Sequence, residues 1–401
     1  MKILHVVPTY YPAVRYGGPI RSVHGLASAV AAQGHEVHVY TTNVDGNEVL
    51  PVPVDGPSRL DGVTVWYFAT SWGRRLYRSP SMRQALNLNI AGFDLVHLHS
   101  VYLWPTSVAA RAARIANVPY VLSPRGMLVT NLIRRKSRFA KRAWITLFER
   151  GNIEKAAAVH VTSEVEALEL RALGFRCSRV AVVANGIELP ADKPTNANSD
   201  VAFAGVMRSP YILFLGRLNW KKGLDRLIPA MKQVADADLL IVGNDEENYR
   251  PVLEALVRRC GVADRVRFLG AVDGEKKWAL LSAAQFLALP SYSENFGNVV
   301  LEAMAVGCPV IITPEVGLGS IVKEAGCGVI ASGEPENFGL EMKRLLNDRD
   351  RRRSMGRAGR CAVNAKFTWN VIGKQMVGLY TQILAEKGTS FMTTRKANVL
   401  S

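Results

Sequence analysis

A chain of 401 residues, 48% of them apolar, is too long and too apolar for one small module or a disordered polymer. At roughly 150 residues per domain it should fold as two or three units, each with a real core. Lys and Arg number 50 against 34 Asp and Glu; the net charge of +16 favours nucleic acid, an anionic membrane face or phosphorylated small molecules as company. The five scattered cysteines form no C-x-x-C, which argues against a disulfide framework or zinc site and for a reducing compartment. No apolar run approaches the roughly 18 residues of a spanning helix, and the first residues lack a signal-peptide layout. The expectation is a cytoplasmic protein that at most lies on a membrane surface.

Lys2 to Val7 reads as a buried parallel strand, and Pro8 to Gly18 as a loop rich in Pro, Gly and Tyr. A helix is predicted from Pro19, with Val23, Leu26, Ala27 and Val30 at helical spacing, then Gly34 as its stop and His35 to Thr42 as the next strand. Asp94 to Leu98 and Val118 to Ser123 are further strand candidates. Residues 101 to 150 hold ten basic side chains against one acidic, the whole basic excess of the first half. Leu189 to Asp200, with two prolines among Asn, Asp and Ser, is the best linker. A second start follows at Tyr211 to Leu215, with a loop at Gly216 to Gly223 and a helix from Leu224 to Ala235 that Pro229 should kink. Strands at Leu239 to Val242, Val266 to Leu269, Phe286 to Leu289 and Val310 to Thr313 alternate with helical stretches. That alternation means parallel sheets covered on both faces, which is α/β. Two doubly wound sheets joined by a linker place a ligand cleft between the carboxyl ends of their strands.

The most informative stretch is S-Y-S-E-N-F-G-N-V-V-L-E-A-M-A-V-G-C-P, Ser291 to Pro309. Glu294 lies in a loop after a strand, and Phe296 and Gly297 precede a helix from about Asn298, with Glu302 in its second turn. The first amides of a helix, here those near Gly297, Asn298 and Val299, can receive a phosphate or sugar oxygen. The two carboxylates can accept hydrogen bonds from hydroxyls at different parts of one molecule, as a sugar nucleotide would require. Taken alone, two such glutamates are more often solvated surface charges; the surrounding F-G and L-E-A-M-A-V-G-C-P-V change that balance.

With those residues in view, the chain resembles retaining glycosyltransferases of the GT-B fold, in particular the large family numbered four, or group 1. Its hallmark of Glu, seven residues, Glu, within E-x-F-G-x-x-x-L-E-A-M-A-x-G-x-P-V, is matched from Glu294 to Val310 almost throughout. The resemblance covers most of the chain and implies two Rossmann-like domains facing each other across a cleft. Residues 1–190 would be the acceptor-side domain and 200–366 the nucleotide-sugar donor domain. A helix over 367–386 would pack back on the first domain, with a tail over 387–401. Glu294 would hold hydroxyls of the transferred sugar and Glu302 the ribose hydroxyls. The family commonly has Gly after the first Glu; Asn295 stands here, a departure expected to touch sugar selectivity.

In Gly216 to Gly223, G-R-L-N-W-K-K-G, Arg217 and Lys222 sit at the carboxyl end of a strand where fixed positive charge can neutralise a diphosphate leaving group. The family's G-R-L-x-x-x-K-G pattern places its diphosphate-binding pair on these two. No D-x-D demands a metal, and neither metal nor cofactor is expected. Gly17 and Gly18 form a possible anion-binding turn after the first strand, and the family's glycine loop there implies donor contact. His97 and His99 flank Leu98 at a strand end; an H-x-H pair suggests a metal only where further ligands converge. His97 is read as structural, whereas the resemblance brings His99 to the donor sugar.

The basic residues Arg134, Arg135, Lys136, Arg138, Lys141 and Arg142 alternate with Leu132, Ile133, Phe139, Trp144 and Leu147. At about 100° per residue most of these charges share one side of a helix that can rest on anionic lipid or equally show a solvated face over a packed one. The S-P-R-G-M-L segment, Ser123 to Leu128, resembles members acting in bacterial exopolysaccharide or cell-envelope assembly. That implies a polyprenyl-linked saccharide acceptor, met by Arg125, and a UDP- or GDP-sugar donor, at the inner face of the cytoplasmic membrane. A GT-B epimerase or phosphorylase is the alternative. A nucleic-acid-binding protein is the weaker one, since no recognition motif or stacking signature accompanies the charge.

Overall fold

The computed structural model describes residues 1–13, 18–70, 74–128, 149–190, 209–245, 247–272 and 274–397. Gly17, the linker over 191–200 and the basic stretch over 134–142 lie outside them. The chain forms two compact units. Unit 1 takes Met1–Gly186 and Trp369–Ser401, and unit 2 takes Ile187–Thr368.

Unit 1 is built on strands β1 (Lys2–Val6), β2 (Glu36–Thr42), β5 (Pro57–Leu60), β6 (Val63–Phe68), β7 (Leu95–His99), β8 (Tyr120–Ser123), β9 (Ala158–Val161) and β10 (Val180–Val182). A small hairpin of β3 (Val44–Asp45) and β4 (Glu48–Val49) stands apart. The sheet order is β10-β9-β8-β7-β1-β2-β6-β5, parallel except for the β5–β6 hairpin. Strands β1, β2 and β6 step outward one way, and β7 restarts on the other side of β1. Neighbouring residues on a strand face opposite ways, so one core gathers Ile3, Val37, Val63, Leu95, Val121 and Ala158 under the helices Gly18–Ala31 and Trp369–Ala397. The other gathers Leu4, Val96, Leu98, Leu122 and Val159 under Pro80–Asn89 and Trp104–Ile115. The last helix reaches that first core with Ile372, Met376, Leu379, Tyr380 and Ile383.

Unit 2 carries β11 (Tyr211–Leu215), β12 (Asp238–Val242), β13 (Val266–Gly270), β14 (Leu287–Leu289), β15 (Val310–Ile312) and β16 (Gly328–Ile330) in the order β13-β12-β11-β14-β15-β16, all parallel. This is the doubly wound order of dinucleotide-binding folds, and it reverses between β11 and β14, where such sheets bind ligands beyond the strands' carboxyl ends. The helix after β11 runs only over Leu224–Ala230 and gives way to a tighter turn at Met231–Gln233. Pro229, with no N–H to donate and a ring that crowds the preceding turn, accounts for the early end. No helix among the described residues is long and apolar enough to cross a membrane.

Candidate active site

The reversal point of unit 2 is where the two motifs meet. After β11 the chain runs through Gly216 and Arg217 into a single turn at Trp220–Lys222, and after β14 it runs from Pro290 to Gly297. The packing at the start of these loops is close. A Cβ on Gly243, just past β12, would lie 1.8 Å from the carbonyl oxygen of Gly216, so only glycine lets the two turns touch. The Tyr292 amide donates to Lys221 O at 2.7 Å, tying one loop to the other. The Glu294 segment is also pinned on its far side: Glu294 N donates to Glu315 O at 3.1 Å and Gly317 N to Glu294 O at 2.8 Å.

Within this frame the Lys222 ammonium donates directly to the Glu294 carboxylate, both side chains being about one-fifth exposed. Arg217 is exposed on the same turn. Gly297 holds a left-handed φ of +94° as the N-cap of the helix Asn298–Ala305, and so aims that helix's first amides outward from the strand ends. Asn298 and Val299 open the helix. Glu302, in its second turn, accepts at 2.8 Å from Lys277, a buried lysine in the first turn of the helix Gly274–Ala283. Nearby, the Arg226 guanidinium stacks 3.5 Å over the Tyr292 ring, whose hydroxyl donates to Asp225 at 2.9 Å. The structure thus brings Lys222, Glu294, Gly297 and Glu302 of unit 2 to one edge of one sheet.

In unit 1 the corresponding reversal lies between β1 and β7, and a row of polar side chains occupies it. His5, His97, His99, Ser123 and His160 continue, at every second residue, the face that begins as Ile3, Leu95, Val121 and Ala158. All five are buried. Hydrogen-bond chemistry fixes their tautomers. His160 Nε2 faces the Val183 carbonyl at 2.9 Å and must donate, so its Nδ1 accepts from Ser123 Oγ at 2.6 Å. Ser123 in turn accepts from His97 Nε2 at 2.8 Å, and His97 Nδ1 accepts from the Tyr380 hydroxyl at 2.7 Å. In the second chain Arg125 can only donate, so His99 Nδ1 accepts from Nη2 at 3.3 Å and His99 Nε2 donates to His5 Nδ1 at 2.9 Å. These roles take each ring as the neutral imidazole that its burial favours. Burial, aided by the Arg125 charge, lowers His5 and His160 to about 3, and burial with the neighbouring rings holds His97 and His99 well below the ordinary value.

Ligand atoms of His5, His97 and His99 lie within 4.8 Å of one another, the spacing of a metal site. His97 Nδ1 is bonded to Tyr380, His99 Nδ1 to Arg125 and His5 Nδ1 to His99, whereas His5 Nε2 is buried with no hydrogen-bond partner. An ion held by His97 Nδ1 and His99 Nδ1 would displace Tyr380 and Arg125 and would sit beside the Arg125 charge, so the donor set fits a hydrogen-bonded cluster better than a metal centre. Arg125 itself stands at a left-handed φ of +55°, a strained setting for a side-chain-bearing residue. It is held by Asn185 Oδ1 at 2.9 Å, while the buried Glu166 carboxylate accepts from the next amide, Gly126, at 2.7 Å. Burial lowers the guanidinium to about 10. Gly18, exposed, begins the helix Gly18–Ala31. Sequence reasoning singled out Arg125 and His99 but missed His5, His160, Glu166, Tyr380 and Lys277. The legible hint was polar residues ending otherwise apolar strands.

Comparison with known proteins places the chain in a family. Residues 17–186 match the family model described as a glycosyl transferase 4-like domain, and residues 201–361 the one described as glycosyl transferases group 1. The chain is 31% identical over 406 residues to the D-inositol 3-phosphate glycosyltransferase of Nocardia farcinica, covering 96% of this chain and 89% of that protein. It is 28% identical over 393 residues to an uncharacterized glycosyltransferase of Methanocaldococcus jannaschii, covering 95% and 98%. Among solved structures, the sucrose-phosphate synthase from Thermosynechococcus elongatus is similar with a TM-score of 0.76 and 25% identity, over 96% of this chain and 99% of that one.

Proposed function

This chain belongs to the group 1 glycosyl transferases, enzymes of GT-B fold, and from that premise we propose the finer reaction: transfer of a sugar from a UDP- or GDP-sugar to a hydroxyl acceptor with retention at the anomeric carbon. The observation that carries the reading is the meeting of Lys222 and Glu294 at the reversal point of unit 2, beside the amides of the helix that Gly297 caps. In the proposed reaction Arg217 and Lys222 bear the charge that builds on the leaving diphosphate, an electrostatic role needing no metal. Glu294 receives hydroxyls of the transferred sugar, Glu302 those of the ribose, and the amides at Gly297, Asn298 and Val299 a donor oxygen. The acceptor hydroxyl attacks from the face the diphosphate leaves, and the leaving phosphate takes its proton, so the protein contributes orientation and charge rather than a nucleophile.

Unit 1 is assigned the acceptor, with Arg125 meeting its anionic part and the Gly17–Gly18 turn contacting the donor; His99, buried with its ring nitrogens bonded to Arg125 and His5, would give up the Arg125 bond to reach the donor sugar. A polyprenyl-linked saccharide of exopolysaccharide or cell-envelope synthesis fits that assignment. So does a cytoplasmic protein resting on the inner membrane face through Arg134, Arg135, Arg138, Lys141 and Arg142. The test is turnover of a panel of sugar nucleotides with and without a polyprenyl-diphosphate-linked saccharide, the product's anomeric configuration being read by NMR. Acceptor-dependent turnover with retention is expected. Turnover that ignores the acceptor would transfer the assignment to an epimerase, and inversion would remove the front-face mechanism.

A further inference from the structure

Lysine is seldom buried without a partner, yet Lys277 is only 8% exposed and lies in the first turn of the helix Gly274–Ala283. That helix follows β13, so its first turn stands at the carboxyl edge of the sheet, on the side where the helix Asn298–Ala305 also begins. The side chain runs across to Glu302, with Nζ 2.8 Å from Oε1, and its ammonium stands 4.5 Å from the centroid of the Trp278 ring. A lysine whose task was to join two helices could do so anywhere along them. This one meets the carboxylate at the ligand edge.

A carboxylate offers about four lone-pair positions on two oxygens. A glutamate held only by its own backbone can turn these positions through several rotamers; one clamped at Oε1 presents its remaining positions in a fixed direction. Recognition of two adjacent hydroxyls, as on a ribose, depends on that direction, and small misplacement costs much of the benefit. We propose that Lys277 is a positioning residue of the donor site, fixing the Glu302 carboxylate so that it selects a nucleotide with an intact ribose diol. The proposal rests on the reading that Glu302 receives the ribose hydroxyls. Lys277 itself touches no reacting atom.

The experiment is calorimetric titration of the full chain with UDP and GDP and with their 2′,3′-dideoxy counterparts, followed by donor kinetics. Lys277→Met is expected to weaken binding of the preferred ribonucleotide about tenfold or more and to leave the dideoxy nucleotide within twofold. Lys277→Arg should recover most of the loss, and the donor KM should rise while kcat falls less than threefold. Equal weakening of both nucleotides, or of neither, would make the pair a structural brace and overturn the proposal. Glu302→Gln separates the two levels. If it erases the ribose preference and Lys277→Met does not, Lys277 alone loses its role. If the unaltered chain shows no ribose preference, the donor-site reading falls, and the role of Lys277 with it.

Discussion

Lys222 and Glu294, 72 residues apart, are bonded ammonium to carboxylate at the reversal point of the second sheet. The two groups assigned to opposite ends of the donor's scissile bond thus bond to each other. On the proposed assignment, the diphosphate and the sugar hydroxyls would each take over half of this pair, and the site would exchange one set of charge contacts for another.

Either side chain lost should therefore disable transfer. Lys222→Ala and Glu294→Ala are each expected to lower kcat/KM about a hundredfold or more, the usual loss when one preorganised electrostatic partner is removed. The double variant should fall much less than the product of the single losses, because the residues act as a unit. Donor turnover reads the outcome, with circular dichroism to show that each variant is folded; full activity in either single variant would remove the pair from the site.

The buried histidines predict acid sensitivity with a defined sign. His5 and His160 titrate near 3 in the folded chain against an ordinary 6.5, so below 6.5 the unfolded chain binds more protons. Their stabilising contribution is whole above pH 6.5 and is lost as pH falls towards 3, at about 1.4 kcal/mol per pH unit for each ring. The Tm should fall as pH is lowered from 7.5 to 5. His160→Gln can still donate to Val183 and accept from Ser123, and it should flatten part of that slope; a slope unchanged in this variant would release His160 from the effect.

Gly243→Ala forces a Cβ into the Gly216 carbonyl. The turns that carry Arg217 cannot separate without disturbing β11 and β12, so a loss of about 3 kcal/mol or more is expected, beyond ordinary surface substitutions. Urea denaturation measures it, and a loss under about 1 kcal/mol would show that the two turns are not closely seated.

Neutralising Arg134, Arg135, Arg138, Lys141 and Arg142 together is expected to release the chain from anionic phospholipid vesicles while sparing transfer to a soluble acceptor. Each basic residue near such a surface contributes about 1 kcal/mol. Vesicle co-sedimentation decides it, and undiminished binding would assign those charges to solvent.

The parallel sheets and the strand-loop-helix placement of the unit 2 motifs were legible because both depend on local signals, namely short apolar runs, glycine turns and helix starts. Pro229 marked where its helix would fail. The clamp on Glu302 was not legible, because Lys277 lies 25 residues away in a stretch whose charges look solvated. Nor was the His97–Tyr380 bond, which joins residues 283 positions apart. Pairings of that kind are set by how elements distant in sequence pack together, and a single sequence carries no local trace of it.

Unit 1 is assembled from both ends of the chain, and its first core takes Ile372, Met376, Leu379, Tyr380 and Ile383 from the final helix. During synthesis, its strands leave the ribosome with that apolar face covered only by the helix Gly18–Ala31 and His97 without its hydroxyl partner, while all of unit 2 is still to be made. Unit 2, continuous in sequence, can close first although it is synthesised later. A ribosome stalled before the last helix would hold a sheet with one face half-covered.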